Sequence, residues 1–179
     1  LKDTFLKFAN SVPFYGTVCA CKDSNNVASI LSKIDKPIIT YGIESQNVDI
    51  KAENLHQENG NISFDVKVKD QIFSVNLSIP GKYNAYNALA ALSVCEKMGI
   101  DLESACKALS NFSGVKRRFD IKANKDIMII DDYAHHPVEV QNVIETVKSN
   151  WNKNLNVIFQ PHLFSRTKEF YKDFAKALM

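Results

Sequence analysis

The sequence lacks the features that would place it in a specialised class of protein. None of its apolar runs approaches the length needed to cross a bilayer, and no signal-peptide pattern opens the chain. The net charge of +2 at pH 7 gives no electrostatic case for binding nucleic acid or an acidic membrane surface. Repeats and low-complexity tracts are also missing. We therefore expect a soluble globular protein with neither nucleic acid nor a membrane as a partner.

Cysteine is scarce, and its four copies include no C-x-x-C pair. Cys19 and Cys21 alternate onto one face of a predicted strand, while Cys95 and Cys106 fall in predicted helices. Buried thiols in this arrangement are typical of a reducing compartment and not of a disulfide framework. The cysteine pattern therefore predicts a cytoplasmic protein.

Apolar residues are plentiful enough for a real core. The chain has 179 residues, of which 45% are hydrophobic and 23% charged, so it can hold one or two domains. Periodicity predicts a helix over 1–11, a strand over 17–21, a helix over 25–34 and a strand over 37–41. This β-α-β alternation indicates an α/β fold with a parallel sheet.

The pattern then changes to alternating apolar and polar residues. Segments 48–53, 61–69 and 71–79 predict an antiparallel meander, with turns at 58–61 and 69–70. An Ala-rich helix over 84–98 is apolar on most sides, which predicts that it is well buried, and a second helix runs over 101–109.

Residues 111–114 form a plausible linker, followed by a second α/β series. The predicted elements are strands over 119–123 and 127–130, a helix over 137–150, a strand over 155–159 and a helix from Thr167. We therefore predict a domain boundary near residue 114, with one domain over 1–114 and another over 115–179.

The richest polar motif is Asp131-Asp132-Tyr133-Ala134-His135-His136-Pro137. An apolar strand precedes it, and Pro137 suits the first position of a helix, where a missing N–H costs nothing. In open α/β sheets ligands bind at this end of a strand, and a helix N-terminus favours anions. The alternative is that the two Asp residues only cap and turn while the histidines are solvated.

A second polar cluster opens the Ala-rich helix at residues 81–87. Asn84 and Asn87 are three residues apart and share a helical face, and their carboxamides can read the edge of a heterocycle such as adenine. The alternative is that Asn84 caps the helix and Asn87 is solvated.

A third cluster is Lys116-Arg117-Arg118, just past the predicted linker. Three cations at a domain junction can neutralise phosphates, and Arg forms bidentate contacts with them. The alternative for such a charge run is a solvated surface.

A fourth cluster, residues 159–167, also follows a predicted strand and precedes a predicted helix. Two strand ends of one parallel sheet would then project His135, His136, His162 and Arg166 toward one rim. Three histidines suggest zinc, but no H-x-x-x-H or H-x-x-E-H spacing is present. We therefore predict no metal site and favour an anion site.

Together these segments resemble the Mur ligase family, the ATP-dependent amino-acid-adding enzymes of peptidoglycan synthesis. The similarity runs in order through 12–16, 80–88, 112–120, 131–137 and 159–167. It implies that 1–114 is the C-terminal half of a central ATP-binding domain. Residues 115–179 would be the N-terminal half of a Rossmann-like, amino-acid-binding C-terminal domain.

The resemblance also implies an activity for the longer parent protein. Within the family, the motifs are most similar to the bacterial ligases that join L-alanine to the carboxylate of UDP-N-acetylmuramate through an acyl phosphate, using ATP and Mg²⁺. No G-x-x-x-x-G-K-[ST] loop for ATP phosphates is present, so we expect that loop and the magnesium ligands outside this segment, and expect the segment alone to be inactive. Alternatives are the tripeptide-adding recycling ligase, the folate-adding ligase and a non-catalytic nucleotide-binding module.

The resemblance further implies residue roles. Tyr83, Asn84 and Asn87 would contact adenine, Arg118 the ATP phosphates across the domain cleft, and Asp132 the ribose. Tyr133, His135 and Arg166 would hold L-alanine, with His162 nearby, and Arg118 and His135 would be catalytic. In two places the chain departs from the family pattern, because Tyr83 replaces a usual His and Leu163 stands where several relatives have Arg.

Overall fold

A computed structural model describes all residues from 1 to 179 and shows a mixed α/β chain. The chain separates into two compact units, each built from several segments. The first comprises Leu1–His56, Ser63–Leu77 and Asn84–Asn111, and the second comprises Gln57–Ile62, Ser78–Tyr83 and Phe112–Met179. None of the helices has both the length and the apolar character required to cross a membrane.

Nine elements precede residue 112. They are α1 (Lys2–Asn10), β1 (Val18–Cys21), α2 (Asn25–Leu31), β2 (Ile38–Gly42), β3 (Ile50–Glu58), β4 (Asn61–Val68), β5 (Gln71–Leu77), α3 (Lys82–Lys97) and α4 (Leu102–Ser110). The five strands form one sheet in the order β1-β2-β3-β4-β5. Strands β1 and β2 are parallel, which confirms the predicted β-α-β unit, and β2 is also parallel to β3.

The predicted meander is present as β3, β4 and β5. The connections between these neighbouring strands are the residue pairs Asn59-Gly60 and Lys69-Asp70, and links this short join antiparallel strands. Asn59, Gly60 and Lys69 have positive φ, as tight hairpins of this kind require. Strand β4 buries alternate residues and so has one wet face, as its alternating pattern predicts.

Helix α3 is less buried than its composition suggests. Ala85, Ala88, Leu89 and Leu92 face inward, but Val94 is 47% exposed and Ala91 is also on the exposed side. The prediction of a helix buried on most sides is therefore wrong. A helix at the surface of a single sheet has one covered face, and Ala and Val on the other face cost little in water.

A charged clamp holds the loop between β2 and β3. Parallel neighbours usually need a connection of a dozen or more residues, yet here residues 43–49 suffice. The Asp23 carboxylate accepts the backbone N–H groups of Ile43, Glu44 and Ser45 at 2.6–2.8 Å. The buried Lys51 ammonium donates to the carbonyl oxygens of the same three residues at 2.9–3.3 Å. The clamp therefore satisfies both sides of the loop backbone.

The clamp also reaches α3. The Tyr86 hydroxyl donates to Asp23 Oδ2 at 2.9 Å. Burial raises the pKa of Tyr86, and its hydrogen bond to the Asp23 carboxylate raises it further. Burial alone would raise the pKa of Asp23 as well, but the hydrogen bonds from residues 43–45 outweigh it and hold this pKa well below the usual range.

The second unit contains a hairpin and a pair of helices. Its elements are β6 (Asp120–Asn124), β7 (Met128–Asp131), α5 (Pro137–Asn150) and α6 (Phe164–Leu178). Strands β6 and β7 are antiparallel with an irregularity at Lys122, and α5 packs against α6. A small core forms between the helices, with Val140, Ile144, Phe174 and Ala177 buried and Ala134, Phe159 and Phe170 against them.

The predicted strand over 155–159 is not formed. No strand pairs with this segment, and Val157 and Ile158 are exposed, although Phe159 packs against Phe174 with ring centroids 5.1 Å apart. A strand exists only where a neighbour completes its hydrogen-bond ladder, and local apolar patterning cannot supply that neighbour. The prediction that strands over 127–130 and 155–159 belong to one parallel sheet is therefore wrong for this chain.

The start of α6 also differs from the prediction, since it begins at Phe164 and not at Thr167. Leu163, the residue before it, has a left-handed backbone with φ +68°. The shift places Arg166 in the first turn of the helix.

The α/β fold class is confirmed. The first unit ends at Asn111 and the second takes up the chain at Phe112, close to the predicted linker. The second unit also includes two earlier segments, so a division into contiguous domains over 1–114 and 115–179 stays a prediction.

All four cysteines are free thiols. Cys106 is buried and the other three are half-buried. Burial raises the pKa of the Cys19, Cys21 and Cys106 thiols, which keeps them protonated and unreactive at neutral pH.

Candidate active site

The motif over 131–137 connects β7 to α5, as predicted. Asp131 is the last residue of β7, Pro137 is the first of α5, and His136 is its N-cap. Glu139, in the first turn, accepts the backbone N–H groups of His135 at 2.9 Å and His136 at 3.2 Å. These two N–H groups have no partner within the helix, so Glu139 supplies one half of a capping box.

Asp132 shapes the turn that follows β7. Its Oδ2 accepts the Phe119 N–H and its Oδ1 accepts the Ala134 N–H, both at 2.7 Å. Asp132 therefore forms a turn, as the alternative interpretation of this motif predicts for its two Asp residues. Each carboxylate oxygen retains a further acceptor site, so the predicted ribose contact stays a prediction.

Arg117 contacts the motif, although its side chain is 59% exposed. Its guanidinium carbon lies 4.7 Å from the centre of the Tyr133 ring, and its Nε lies 3.8 Å from Asp131 Oδ2. Its carbonyl oxygen accepts the Tyr133 N–H at 2.8 Å. Arg117 and Phe119 both have left-handed φ, which bends the segment before β6 around Tyr133. The cation–π contact and the backbone bond together hold the Tyr133 ring.

Arg118 and His135 meet at Glu139. Arg118 Nη1 lies 4.0 Å from Glu139 Oε1, and His135 Nδ1 lies 3.4 Å from Glu139 Oε2. Burial alone would raise the pKa of Glu139. The N–H groups of His135 and His136 and the charges of His135 and Arg118 outweigh burial and lower this pKa. Glu139 is therefore a carboxylate at neutral pH.

Tyr133 and Arg166 complete the cluster around His135. The Tyr133 carbonyl oxygen lies 2.9 Å from His135 Nδ1, and the two rings are 5.2 Å apart at their centroids. Arg166 Nη1 donates to the His135 carbonyl oxygen at 3.5 Å. The structure thus brings together four predicted site residues, Arg118, Tyr133, His135 and Arg166.

The other two histidines do not join this cluster. His136 packs on Phe170 with ring centroids 5.1 Å apart, and His162 is exposed with no hydrogen bond or ion pair. The predicted rim is therefore formed only in part, since Arg166 meets His135, whereas 155–159 does not lie beside β7 in a parallel sheet. No group of three or more His, Cys, Asp or Glu side chains can hold a metal ion.

The predicted adenine-contacting residues lie at the start of α3. Because the helix begins at Lys82, Asn84 is inside the first turn and is not the N-cap. Asn87 Nδ2 donates to Asn84 Oδ1 at 3.3 Å, which confirms that the two carboxamides share a face. Gly81 precedes them with φ +102°, and a Cβ there would lie 2.5 Å from the half-buried Tyr83 ring. Glycine is therefore required at this position.

Two residues that organise the site were not predicted to do so: Glu139 is absent from the predicted site, and Arg117 is predicted only as one of three cations. Glu139 stands three residues after the N-cap, and that spacing ahead of an apolar helix is a readable capping signal. Nothing in the local sequence indicates that Arg117 turns onto Tyr133, since that contact depends on its left-handed backbone.

Comparison with known proteins assigns this chain to a class of ligases. Residues 1–95 match the family model for the Mur ligase middle domain, and residues 117–179 match the model for the Mur ligase, glutamate ligase domain. The chain belongs to the Mur ligase family.

Individual relatives agree with this assignment. The UDP-N-acetylmuramate–L-alanine ligase of Geotalea daltonii is 38% identical over 179 residues, covering 99% of this chain and 39% of the relative. The solved structure of the UDP-N-acetylmuramate–alanine ligase MurC of Thermotoga maritima has a TM-score of 0.78 at 28% identity, covering 99% of this chain and 38% of that one. The chain thus spans about two fifths of the length of the curated relatives it matches.

The fold is shared more widely than the sequence. The MurF ligase of Thermotoga maritima, solved in complex with ADP, has a TM-score of 0.81 at 20% identity, covering 98% of this chain and 41% of that one. At that identity the likeness concerns the fold.

Proposed function

We propose that this chain is a segment of an ATP-dependent ligase that joins L-alanine to the carboxylate of UDP-N-acetylmuramate in peptidoglycan synthesis. One observation carries the proposal, namely that Arg118, Tyr133, His135 and Arg166 gather at the end of β7 and the start of α5. Two cations beside an aromatic ring and an imidazole suit anionic groups and an amine. The identity of 38–42% to curated ligases of that name supports this substrate pair over others in the family.

We assign the residue roles by their place in the chain. At the start of α3, Asn84 and Asn87 contact adenine, and Tyr83 adds an aromatic face. After residue 111, Arg118 contacts the ATP phosphates, while Asp132 forms its turn and offers a further acceptor site to the ribose. Tyr133, His135 and Arg166 hold L-alanine. His162 is exposed and has no hydrogen-bond partner. It stands four residues before Arg166, and we assign it a supporting role in binding L-alanine.

The reaction has two steps in this proposal. A carboxylate oxygen of UDP-N-acetylmuramate attacks the terminal phosphorus of ATP, ADP leaves, and an acyl phosphate forms. The amine of L-alanine then attacks the acyl carbon, a tetrahedral intermediate collapses, and phosphate leaves with the formation of the amide bond. Arg118 stabilises negative charge on the transferring phosphoryl group.

His135 is suited to handle the amine proton. Its Nδ1 lies next to the Tyr133 carbonyl oxygen and the Glu139 carboxylate, both acceptors, so the neutral ring carries its hydrogen on Nδ1. Nε2 then keeps a lone pair that can accept a proton from the ammonium group of L-alanine.

The family uses Mg²⁺ with ATP, and no three or more His, Cys, Asp or Glu side chains gather in this chain to hold a metal ion by themselves. We therefore propose that its ligands, and the phosphate-binding loop, belong to other parts of the whole protein. All four cysteines are free thiols, which is typical of a reducing compartment and supports a cytoplasmic location for that protein.

The 179-residue segment alone should be inactive. It has no phosphate-binding loop, so we expect no phosphate release above background when it is mixed with ATP, Mg²⁺, UDP-N-acetylmuramate and L-alanine. The full-length protein at equal concentration is the positive control. Release from the segment that requires both acceptor substrates would show that the loop is dispensable, and would refute this expectation.

Two substitutions in the full-length protein test the role assignments against each other. N84A should raise the KM for ATP about tenfold and leave the KM for L-alanine unchanged, because it removes one base-reading carboxamide. R166A should raise the KM for L-alanine at least tenfold and leave the KM for ATP unchanged, because it removes the guanidinium that binds the carboxylate of L-alanine. Steady-state phosphate release measures both constants. Equal effects on the two substrates would contradict the assignments, and a preference for a tripeptide over L-alanine would favour the recycling ligase.

A further inference from the structure

We propose that Glu139 is a positioning residue of the ligase reaction, a carboxylate that holds Arg118 and His135 in their working places from the first turn of α5. The inference rests on the proposed function, because it concerns the two residues assigned to phosphoryl transfer and to the amine. Glu139 itself contacts neither substrate in this scheme and acts through its neighbours.

The two oxygens of Glu139 have different tasks. Oε2 accepts the N–H groups of His135 and His136 and lies 3.4 Å from His135 Nδ1, so it binds backbone and ring of the same residue. Oε1 lies 4.0 Å from Arg118 Nη1. One side chain, anchored by two backbone hydrogen bonds, therefore connects the proposed phosphate-contacting group with the proposed proton acceptor.

Capping alone does not account for a charged residue here. A glutamine at this position of a capping box accepts the same two N–H groups, because its amide oxygen occupies the place of Oε2. The negative charge also favours the helix N-terminus, which affects stability, but its interactions with the Arg118 guanidinium and the His135 ring are those that bear on kcat. The difference between Glu and Gln thus separates the structural role from the positioning role.

No other carboxylate of the cluster can replace Glu139. Asp132 directs both oxygens to backbone N–H groups, and Asp131 pairs with Arg117. Glu139 is the acidic side chain that lies next to both the Arg118 guanidinium and the His135 ring in this structure. Its removal leaves both groups without an anionic partner.

Positioning should matter for rate. The Arg118 side chain is 54% exposed, so its long chain samples many rotamers unless a partner restricts it. The His135 ring keeps its Nδ1 hydrogen between two acceptors, which restricts the orientation of the ring. A displacement of about 1 Å in a reacting group can cost on the order of a hundredfold in rate.

The test compares E139Q and E139D in the full-length protein. Under the proposal, kcat follows Glu > Asp > Gln, with E139Q about tenfold or more below wild type and E139D within threefold of it. The Tm should follow the opposite order for the variants, because Gln keeps the length needed for the cap and Asp is one methylene shorter. E145Q on the exposed side of the same helix is the matched control and should behave as wild type.

The outcomes are distinct. Wild-type kcat in E139Q would show that Glu139 only caps α5, and would overturn the inference while the proposed function stands. A wild-type protein with no phosphate release from UDP-N-acetylmuramate and L-alanine overturns the proposed function, and the inference with it. If E139Q does not fold, E139D decides alone, since a loss of more than tenfold in kcat despite its retained charge would refute positioning by charge.

Discussion

Arg118→Ala in the full-length protein should lower kcat for phosphate release by about 10²–10³-fold. The loss is this large because Arg118 is assigned to the transferring phosphoryl group, where a positive charge acts mainly in the transition state. The KM for L-alanine should change by less than about threefold, since Arg166 and Tyr133 are assigned to that substrate. Steady-state kinetics with each substrate varied in turn measures both values.

Lys116→Ala is the matched control for this substitution. It removes the same charge from the same cationic run, but the Lys116 side chain is exposed and forms no hydrogen bond or ion pair. We expect kcat within about twofold of wild type. Similar losses in the two variants would mean that the cluster acts only through its net charge, and would remove Arg118 from the catalytic role.

Asp23→Ala should lower the free energy of unfolding by about 3 kcal/mol, the largest effect on stability that we expect from one polar residue in the first unit. The substitution removes the acceptor for the N–H groups of Ile43, Glu44 and Ser45 and for the Tyr86 hydroxyl. Hydrogen bonds to a charged group contribute about 1.5–3 kcal/mol each and are not additive when they share one acceptor. Urea or thermal unfolding of the full-length protein gives the difference.

Asp35→Ala is the control for the loss of a surface carboxylate. Asp35 has a side chain 69% exposed and a single ion pair with Lys36, so its loss should cost less than about 1 kcal/mol. Tyr86→Phe removes one of the four bonds to Asp23 and should cost about 1 kcal/mol. An Asp23→Ala variant as stable as Asp35→Ala would show that the clamp does not hold the loop.

The stability that the clamp contributes should depend on pH. The pKa of Asp23 is lower in the folded protein than in the unfolded chain, where an Asp titrates near about 3.9. Its stabilising effect is therefore fully present above about pH 5 and is lost as the pH falls through and below 4. The difference in stability between wild type and Asp23→Ala should shrink in acid. A constant difference down to about pH 2 would contradict this origin.

The parts of the site that the sequence predicted correctly are those set by neighbouring residues. Pro137 begins a helix because its fixed φ and missing N–H suit that position wherever it occurs. Asn84 and Asn87 share a face because their spacing is close to one helical turn. The motif over 131–137 follows a strand because an apolar run of strand length precedes it. Each of these outcomes depends on a few consecutive residues.

The errors concern groups whose partners are distant in sequence. The segment 155–159 has the composition of a strand but no neighbour to pair with, so it forms no strand and its residues 155–158 are exposed. The Asp132 carboxylate also accepts the Phe119 N–H across 13 positions, a contact that the local sequence does not predict, while its ribose contact stays a prediction. The acceptor to which a backbone N–H donates depends on which groups the folded chain brings together, and a local sequence pattern does not contain that information.

Residue order alone defines the family, the α/β class and the positions of the polar motifs, because it carries periodicity, turn residues and spacing. The folding of the chain determines which side chains act together. It turned Arg117 onto Tyr133, placed Glu139 between Arg118 and His135, and left His162 in solvent. Those contacts depend on left-handed backbone at Arg117 and on the packing of α5 against α6, which no local pattern encodes.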